Sequence, residues 1–215
     1  MEDDNEPSEL GTKEYWDKTY QLEMSNFQSH GDVGEEWFGE DCATRVVRWL
    51  NSCDELNKSS KIIDIGCGNG MLLSFMAEEE YENLLGVDYS PQAVELAVAV
   101  AKKMAHNITF KVWDIISSEQ CPGDIPFDVA LDKGTYDAIG LSKNGAEDRK
   151  TYIKNTHSIL KPGGLLIITS CNYSEDELVE QFSENFKKVS RIPAPTFKFG
   201  GREGSLISSI ILRSV

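Results

Sequence analysis

A glycine-rich turn between a buried strand and a helix constrains the fold of this chain more than any other feature. The run Asp64-Ile65-Gly66-Cys67-Gly68-Asn69-Gly70 places its glycines in a GxGxG pattern. It follows the β-branched, apolar segment 61–65, which has the character of a buried parallel strand, and it precedes an apolar helical segment at 71–79. Glycine lets the backbone turn tightly and approach a ligand closely, and the N-terminus of a helix attracts an anion. The sequence therefore predicts an anion-binding turn at the end of this strand.

Strands and helices alternate through the rest of the chain. We expect further strands near 83–88, 108–112, 127–131, 165–169, 187–192 and 206–212, and helices near 12–27, 41–51, 71–79, 90–104, 147–160 and 174–186. This alternation predicts an α/β fold, in which a seven-stranded, mostly parallel sheet carries helices on both faces. The last two strands have no helix between them, so one of them is expected to run antiparallel.

Acidic residues follow two more of these strands. Asp88 ends the second strand, 18 residues after Gly70, and Asp114 comes directly after the third. Because the carboxyl ends of parallel strands meet at one edge of a sheet, both acids should lie beside the glycine turn. A carboxylate at Asp88 can accept hydrogen bonds from both hydroxyls of a ribose, and Tyr89 is placed to pack on an adenine.

The glycine spacing, led by Asp64, resembles the first motif of class I S-adenosylmethionine-dependent methyltransferases, whereas dinucleotide enzymes carry GxGxxG. The segment Asp132-Lys133-Gly134-Thr135 resembles protein lysine methyltransferases, especially those that act on translation elongation factor 1-alpha. The resemblance spans about residues 10–213 and is also carried by the segments 10–16, 31–39, 169–172 and 195–202. It implies a Rossmann-like methyltransferase domain, S-adenosylmethionine as cofactor, and methyl transfer to a lysine ε-amine.

The resemblance also implies roles for single residues. The glycine turn would bind the methionine carboxylate, Asp114 would receive the adenine amino group, and the backbone N–H of Ile115 would face the ring. The predicted cofactor-binding residues are Asp64, Gly66, Cys67, Gly68, Asn69, Gly70, Asp88, Tyr89, Asp114, Ile115, Leu131 and Phe38.

The predicted catalytic and lysine-binding residues are Asp132, Trp37, Tyr136, Asn172 and Tyr173. Asp132 would orient the amine, and the aromatic faces would hold its charge by cation–π attraction. Two alternatives stay open. Trp37 could belong to the core or close over the cofactor together with Phe38, and Tyr136 could pack against the next helix.

Composition bears on partners and location. The formal net charge of −15 repels nucleic acid and favours a basic protein partner, although acidity could simply maintain solubility. No apolar run reaches the roughly 20 residues of a membrane-spanning helix, and the acidic N-terminus lacks a signal-peptide pattern. Five cysteines without paired spacing predict no metal site. We expect a cytoplasmic monomer with a disordered acidic tail at 1–10 and a methyltransferase domain at 11–215.

Other functions compete with this interpretation. A methyltransferase for small molecules would share the cofactor motifs, as would a lysine methyltransferase for a different protein. A nicotinamide-dependent oxidoreductase would share the sheet and the ribose carboxylate, but the glycine spacing argues against it. A non-catalytic binding module is disfavoured because the segment from Asp132 to Asp137 is intact.

Overall fold

The computed structural model describes the backbone of residues 7–199 and 202–215, and the side chains of these residues outside 196–205. Its helices are α1 (Lys13–His30), α2 (Glu40–Asn51), α3 (Met71–Glu78), α4 (Pro91–Lys103), α5 (Thr135–Gly140), α6 (Gly145–Ile159) and α7 (Glu175–Phe182). Its strands are β1 (Lys61–Ile65), β2 (Asn83–Asp88), β3 (Thr109–Val112), β4 (Phe127–Lys133), β5 (Leu160–Ser170), β6 (Phe186–Arg191), β7 (Thr196–Phe199), β8 (Arg202–Ser205) and β9 (Ser208–Ser214).

The main sheet has seven strands in the order β3-β2-β1-β4-β5-β9-β6. The strands β1 to β5 pair in parallel, whereas β9 runs antiparallel to both β5 and β6. The predicted fold class is therefore confirmed, including the antiparallel strand at the end of the chain.

Alternate residues of the central strands enter two separate cores. Ile62 and Leu131 pack with α2 and α3 on one face of the sheet, while Ile63 and Ala130 pack with α6 and α7 on the other. Both faces of β1 and β4 are thus covered, which explains why these strands are nearly continuous apolar runs.

Side-chain hydrogen bonds cap the N-termini of α4 and α7. The Ser90 hydroxyl accepts a hydrogen bond from the Ala93 amide and Pro91 occupies the first turn of α4, as expected for a helix start. Ser174 and Glu177 form a complete capping box at α7, in which each side chain accepts a hydrogen bond from the backbone amide of the other residue.

Four details differ from the sequence prediction. The short helix α5 and the hairpin of β7 and β8 were not predicted. The helix α7 ends at Phe182, and Phe186 already belongs to β6, because its ring is buried in the core. The segment 161–164, which lies between the predicted helix near 147–160 and the predicted strand near 165–169, belongs to β5.

Residues 8–10 of the predicted disordered tail have regular structure. Residues 1–6 lie outside the described residues. However, Glu9–Gly11 form a 3-10 turn capped by Ser8, and the Ser8 amide donates to the Leu141 carbonyl at 3.0 Å. These backbone bonds hold residues 8–11 against the domain. Within the described residues, no helix is long and apolar enough to cross a membrane.

Candidate active site

A cavity of about 250 Å³ lies at the carboxyl ends of the parallel strands, where ligands bind in open α/β sheets. Helix α1 and the segment 31–39 flank it on the side away from the sheet. Its lining includes Ile65 and Gly66 at the end of β1, Asp88 and Tyr89 at the end of β2, Trp113 to Ile116 after β3, and Lys133 to Thr135 at the end of β4.

The glycine turn adopts a backbone shape that requires glycine. Gly66 and Gly68 have φ angles of 71° and 53°, in the left-handed region. A Cβ atom at Gly66 would lie 2.0 Å from the Thr135 Oγ1 atom, and one at Gly68 would lie 2.7 Å from the Tyr20 hydroxyl. The turn is therefore packed closely between α1 and the start of α5, with its backbone at the cavity wall.

Asp88 is the last residue of β2 and lies at the edge of the sheet where the cofactor is predicted to bind, called the cofactor edge below. Its carboxylate accepts hydrogen bonds from the Gly68 amide at 3.1 Å and from the Ser90 amide at 2.9 Å. Burial raises the pKa of this carboxyl from 3.8 to about 6. Two backbone donors leave lone pairs on both oxygens, so the geometry fits acceptance of ribose hydroxyls.

The third strand ends beside this carboxylate. Asp114 is half-buried, lines the cavity and accepts a hydrogen bond from the Ile116 amide at 3.0 Å. Ile115 and Tyr89 line the same end of the cavity, and Lys13 of α1 lies 5.4 Å from the centre of the Tyr89 ring. The structure thus brings together the residues predicted to surround the adenosine.

The remaining predicted cofactor residues divide into two groups. Cys67 and Asn69 line the cavity. Asp64, Gly70, Leu131 and Phe38 are not among its lining residues in the described part of the chain.

For three of these four residues, the structure gives other surroundings. Asp64 is buried in β1, where burial raises the pKa of its carboxyl to about 7. Leu131 belongs to the core beside α2 and α3, and we correct its assignment to the cofactor site. Phe38 has a φ angle of 68° and packs against Trp37, with 6.2 Å between ring centres.

Trp37 and Asn172 reach the other end of the cavity. The Trp37 ring packs edge-on against Trp16 of α1, and its backbone carbonyl accepts a hydrogen bond from the Lys133 Nζ atom at 2.8 Å. Asn172 and its neighbour Cys171 are exposed, so this end of the cavity lies towards the surface.

Asp132 lies beneath this end rather than in it. Its carboxylate accepts hydrogen bonds from the amides of Thr135 and Tyr136 and from the Tyr152 hydroxyl. Side chains alternate along β4, so Lys133, and not Asp132, belongs to the described cavity lining. The prediction that Asp132 orients the amine is therefore corrected.

Tyr136 and Tyr173 are core residues as well. Their exposed fractions are 1% and 5%, and their ring centres lie 5.4 Å apart in a cluster with Tyr152 and Phe182. Neither tyrosine belongs to the described lining of the cavity. The Tyr136 ring packs against Tyr152 of α6, the next helix.

Sequence reasoning missed two parts of the site. The first is α1, from which Tyr15, Trp16, Tyr20 and Glu23 line the cavity. The second is Asp137 of α5, which accepts hydrogen bonds from the Ser170 hydroxyl and, at 2.8 Å, from the Cys171 amide. Burial raises the pKa of the Asp137 carboxyl. Asp137 follows the segment 132–135 by only two residues, and this closeness in the sequence could have pointed to it as a site residue.

The charge of the cavity suits a cationic ligand. Among its described lining residues, Glu23, Glu35, Asp88, Asp114 and Asp137 are acidic and Lys133 is basic. The two reactants that the sequence resemblance implies both fit such a site, because S-adenosylmethionine carries a sulfonium and an ammonium and a lysine carries an ammonium. The donors of the glycine turn and the acceptors at Asp88 and Asp114 fit the anionic and nucleoside parts of the cofactor.

Solved structures share this architecture. The N-methyltransferase NodS from Bradyrhizobium japonicum, in complex with S-adenosylhomocysteine, superposes with a TM-score of 0.67 at 19% identity, over 91% of this chain and 98% of that one. A family model described as a methyltransferase domain matches residues 56–206. With the strand order and the GxGxG turn, these findings define a class I S-adenosylmethionine-dependent methyltransferase.

Relatives narrow the class to a family. EEF1A lysine methyltransferase 2 of Homo sapiens is 40% identical, with 100% of this chain and 90% of the relative aligned. Protein-lysine N-methyltransferase EFM4 of Saccharomyces cerevisiae is 38% identical, with 94% of this chain and 93% of the relative aligned. The chain belongs to the family that includes these enzymes.

Proposed function

We propose that this protein transfers a methyl group from S-adenosylmethionine to the ε-amine of a lysine in translation elongation factor 1-alpha. The observation that carries the proposal is similarity along nearly the whole chain to EEF1A lysine methyltransferase 2, at 40% identity, and to protein-lysine N-methyltransferase EFM4, at 38% identity. That similarity includes α1 and the segment 31–39, which form the wall of the cavity opposite the sheet.

The shape of the cavity supports transfer to a long side chain. Asp88 and Asp114 lie at its cofactor edge, while Trp37 and Asn172 line its other end towards the surface. A lysine that enters beside Asn172 would extend its four methylene groups along the Trp37 ring. Its nitrogen would then approach the cofactor edge from outside.

The amine must be neutral to attack. A free lysine has a pKa of ~10.4, so deprotonation near neutral pH costs about 4 kcal/mol. When bound, S-adenosylmethionine would supply a methyl group already activated by its sulfonium, and transfer of that methyl to the amine nitrogen would leave the sulfur as a neutral thioether. The residues of this chain therefore have to position the amine and remove its proton.

Asp137 is the residue we assign to the amine. It lines the cavity, and the Ser170 hydroxyl and the Cys171 amide fix its carboxylate. An oxygen with a remaining lone pair can accept a hydrogen bond from the amine and direct the nitrogen lone pair to the methyl group. Because burial raises its pKa, Asp137 is also a better proton acceptor than an exposed aspartate.

The net charge of −15 supports a basic protein as partner, because opposite charges accelerate association. We propose in addition that the enzyme acts in the cytoplasm as a monomer and that neither nucleic acid nor membrane is its partner. A transfer rate that falls with added salt is the expected signature of the charge attraction.

The decisive experiment incubates the protein with S-adenosylmethionine carrying a labelled methyl group and an extract from cells that lack this activity. We expect label in elongation factor 1-alpha, on a lysine located by mass spectrometry, and less label with the variant Asp88→Asn at a subsaturating concentration of the cofactor. Label in another protein would redirect the substrate assignment. Label confined to metabolites would favour a small-molecule methyltransferase and contradict the proposal.

A further inference from the structure

Helix α1 runs along the cofactor cleft and presents several side chains to it. Lys13 lies over the Tyr89 ring at the adenosine end, Trp16 and Tyr20 follow one and two turns later, and Glu23 follows Tyr20 by three residues. Residues three or four apart share one face of a helix. Glu23 therefore lies further along α1 than Tyr20, away from Lys13 and Tyr89 and beside the segment 31–39 and the glycine turn.

Only one of the two oxygen atoms of the Glu23 carboxylate has a hydrogen-bond partner among the described residues. Its Oε1 atom accepts a hydrogen bond from the Glu35 amide at 3.2 Å. Its Oε2 atom is buried and has no hydrogen-bond partner among the described residues. An unpaired carboxylate oxygen in such a place is costly unless a donor or a cation meets it. Its position on the cavity wall means that a ligand can supply that donor.

The neighbouring segment is shaped to leave room for this oxygen. Gly34 has a φ angle of 88°, and a Cβ atom there would lie 2.5 Å from the Glu23 Oε2 atom. Asn69 of the glycine turn donates to the carbonyl of Val33 at 3.1 Å. These contacts bring Glu23, the segment 31–39 and the glycine turn together at one end of the cavity.

We propose that Glu23 binds the α-ammonium group of the methionine part of the cofactor. The amides of the glycine turn suit the α-carboxylate of that amino acid, while the ammonium needs an acceptor, and the unpaired Oε2 atom is one. Burial, with a smaller contribution from the negative charges of Glu35 and Asp32, raises the pKa of the Glu23 carboxyl. Binding of a cation would offset these charges. This inference rests on the cofactor of the class and is independent of the protein substrate.

The test compares two ligands that differ in the amino-acid part. S-adenosylhomocysteine carries it, and 5′-methylthioadenosine has a similar nucleoside thioether without it. We expect Glu23→Gln to weaken binding of S-adenosylhomocysteine about tenfold or more in calorimetric titration, as for a lost charged hydrogen bond, and to leave binding of methylthioadenosine unchanged. Glu14→Gln is the matched control, because Glu14 is an exposed carboxylate on the same helix, paired with Lys18, and should affect neither ligand.

Two results would overturn the proposal. Unchanged affinity of Glu23→Gln for S-adenosylhomocysteine would exclude contact with the ammonium, and an equal loss for both ligands would indicate a general distortion of the cleft. Should Glu23→Gln fail to fold, Glu23→Asp keeps the charge and withdraws it by one methylene, and it must show the same ligand-selective loss. Absence of methyl transfer to elongation factor 1-alpha would leave these binding results untouched, so the two proposals fail separately.

Discussion

The Tyr152 hydroxyl donates a hydrogen bond to the Asp132 carboxylate at 2.6 Å. Both side chains are buried, with exposed fractions of 0% and 2%. The same carboxylate accepts hydrogen bonds from the backbone amides of Thr135 and Tyr136 at the start of α5. The Asp-Lys-Gly-Thr segment therefore anchors α5 through its aspartate, while its lysine faces the cavity.

Asp132 should make folding stability depend on pH. Burial raises the pKa of its carboxyl from 3.8 to about 8, so the native state keeps a proton that the unfolded chain releases. The stabilisation is full below about pH 4 and is lost as the pH rises through about 8. We expect the melting temperature of the wild type to fall more steeply from pH 5 to 8 than that of Asp132→Asn.

The comparison isolates Asp132 because Asp64 and Asp88 titrate in both proteins. Thermal unfolding followed by circular dichroism across this range measures the difference. Parallel curves for the two proteins would contradict the assignment of a protonated, buried Asp132 at neutral pH.

We expect substitution of Gly68 in the glycine turn to destabilise the protein, partly through contact with the Tyr20 hydroxyl. Gly68→Ala places a Cβ atom 2.7 Å from that oxygen, at a φ angle of 53°. We expect lower stability, with about 1–3 kcal/mol from the backbone strain alone, and weaker binding of S-adenosylhomocysteine.

Adding Tyr20→Phe removes the clashing oxygen and leaves ring carbon Cζ at 3.5 Å. The double variant should therefore recover the steric part of the loss and keep the part due to backbone strain. A double-mutant cycle on melting temperature measures this coupling, and purely additive effects would show that the two groups do not meet.

Cofactor affinity should depend on the ionisation of Asp88. Its carboxylate is a stronger acceptor for ribose hydroxyls than its protonated form, and its pKa is raised to about 6. Affinity for S-adenosylhomocysteine should therefore rise with pH up to about 6 and then level off. Asp88→Asn should bind about tenfold more weakly at neutral pH and lose this dependence, as titration calorimetry at several pH values can measure. A wild-type profile retained in the variant would assign the dependence to another group.

The positions of Asp88 and Asp114 could be predicted because parallel topology alone brings strand ends together. Asp132 could not be assigned in the same way. It lies one residue before the end of β4, and side chains alternate along a strand, so an error of one residue moves a side chain to the other face.

Other parts of the site depend on packing that has no local signal. The six residues of α5 are too few to show a helical period, so Tyr136 looked like a pocket residue although its ring lies in the core. The sequence predicted α1 as a helix, but its docking against α4 and the glycine turn is set by distant contacts of Tyr20, Met24 and Phe27.

Variants of Asp137 in α5 and Asp132 in β4 test which of the two carboxylates acts on the lysine amine. We expect Asp137→Asn to lower the turnover number by about a hundredfold or more, as for loss of a group that accepts a proton in the transition state. Affinity for S-adenosylhomocysteine should stay unchanged, because Asp137 lies away from the cofactor edge. Asp132→Asn should instead reduce stability, with turnover retained in the fraction that stays folded. Asp176→Asn, an exposed position at the start of α7, serves as the control for the loss of one negative charge. Single-turnover rates with saturating cofactor separate these cases, and full turnover in Asp137→Asn would remove this carboxylate from the reaction.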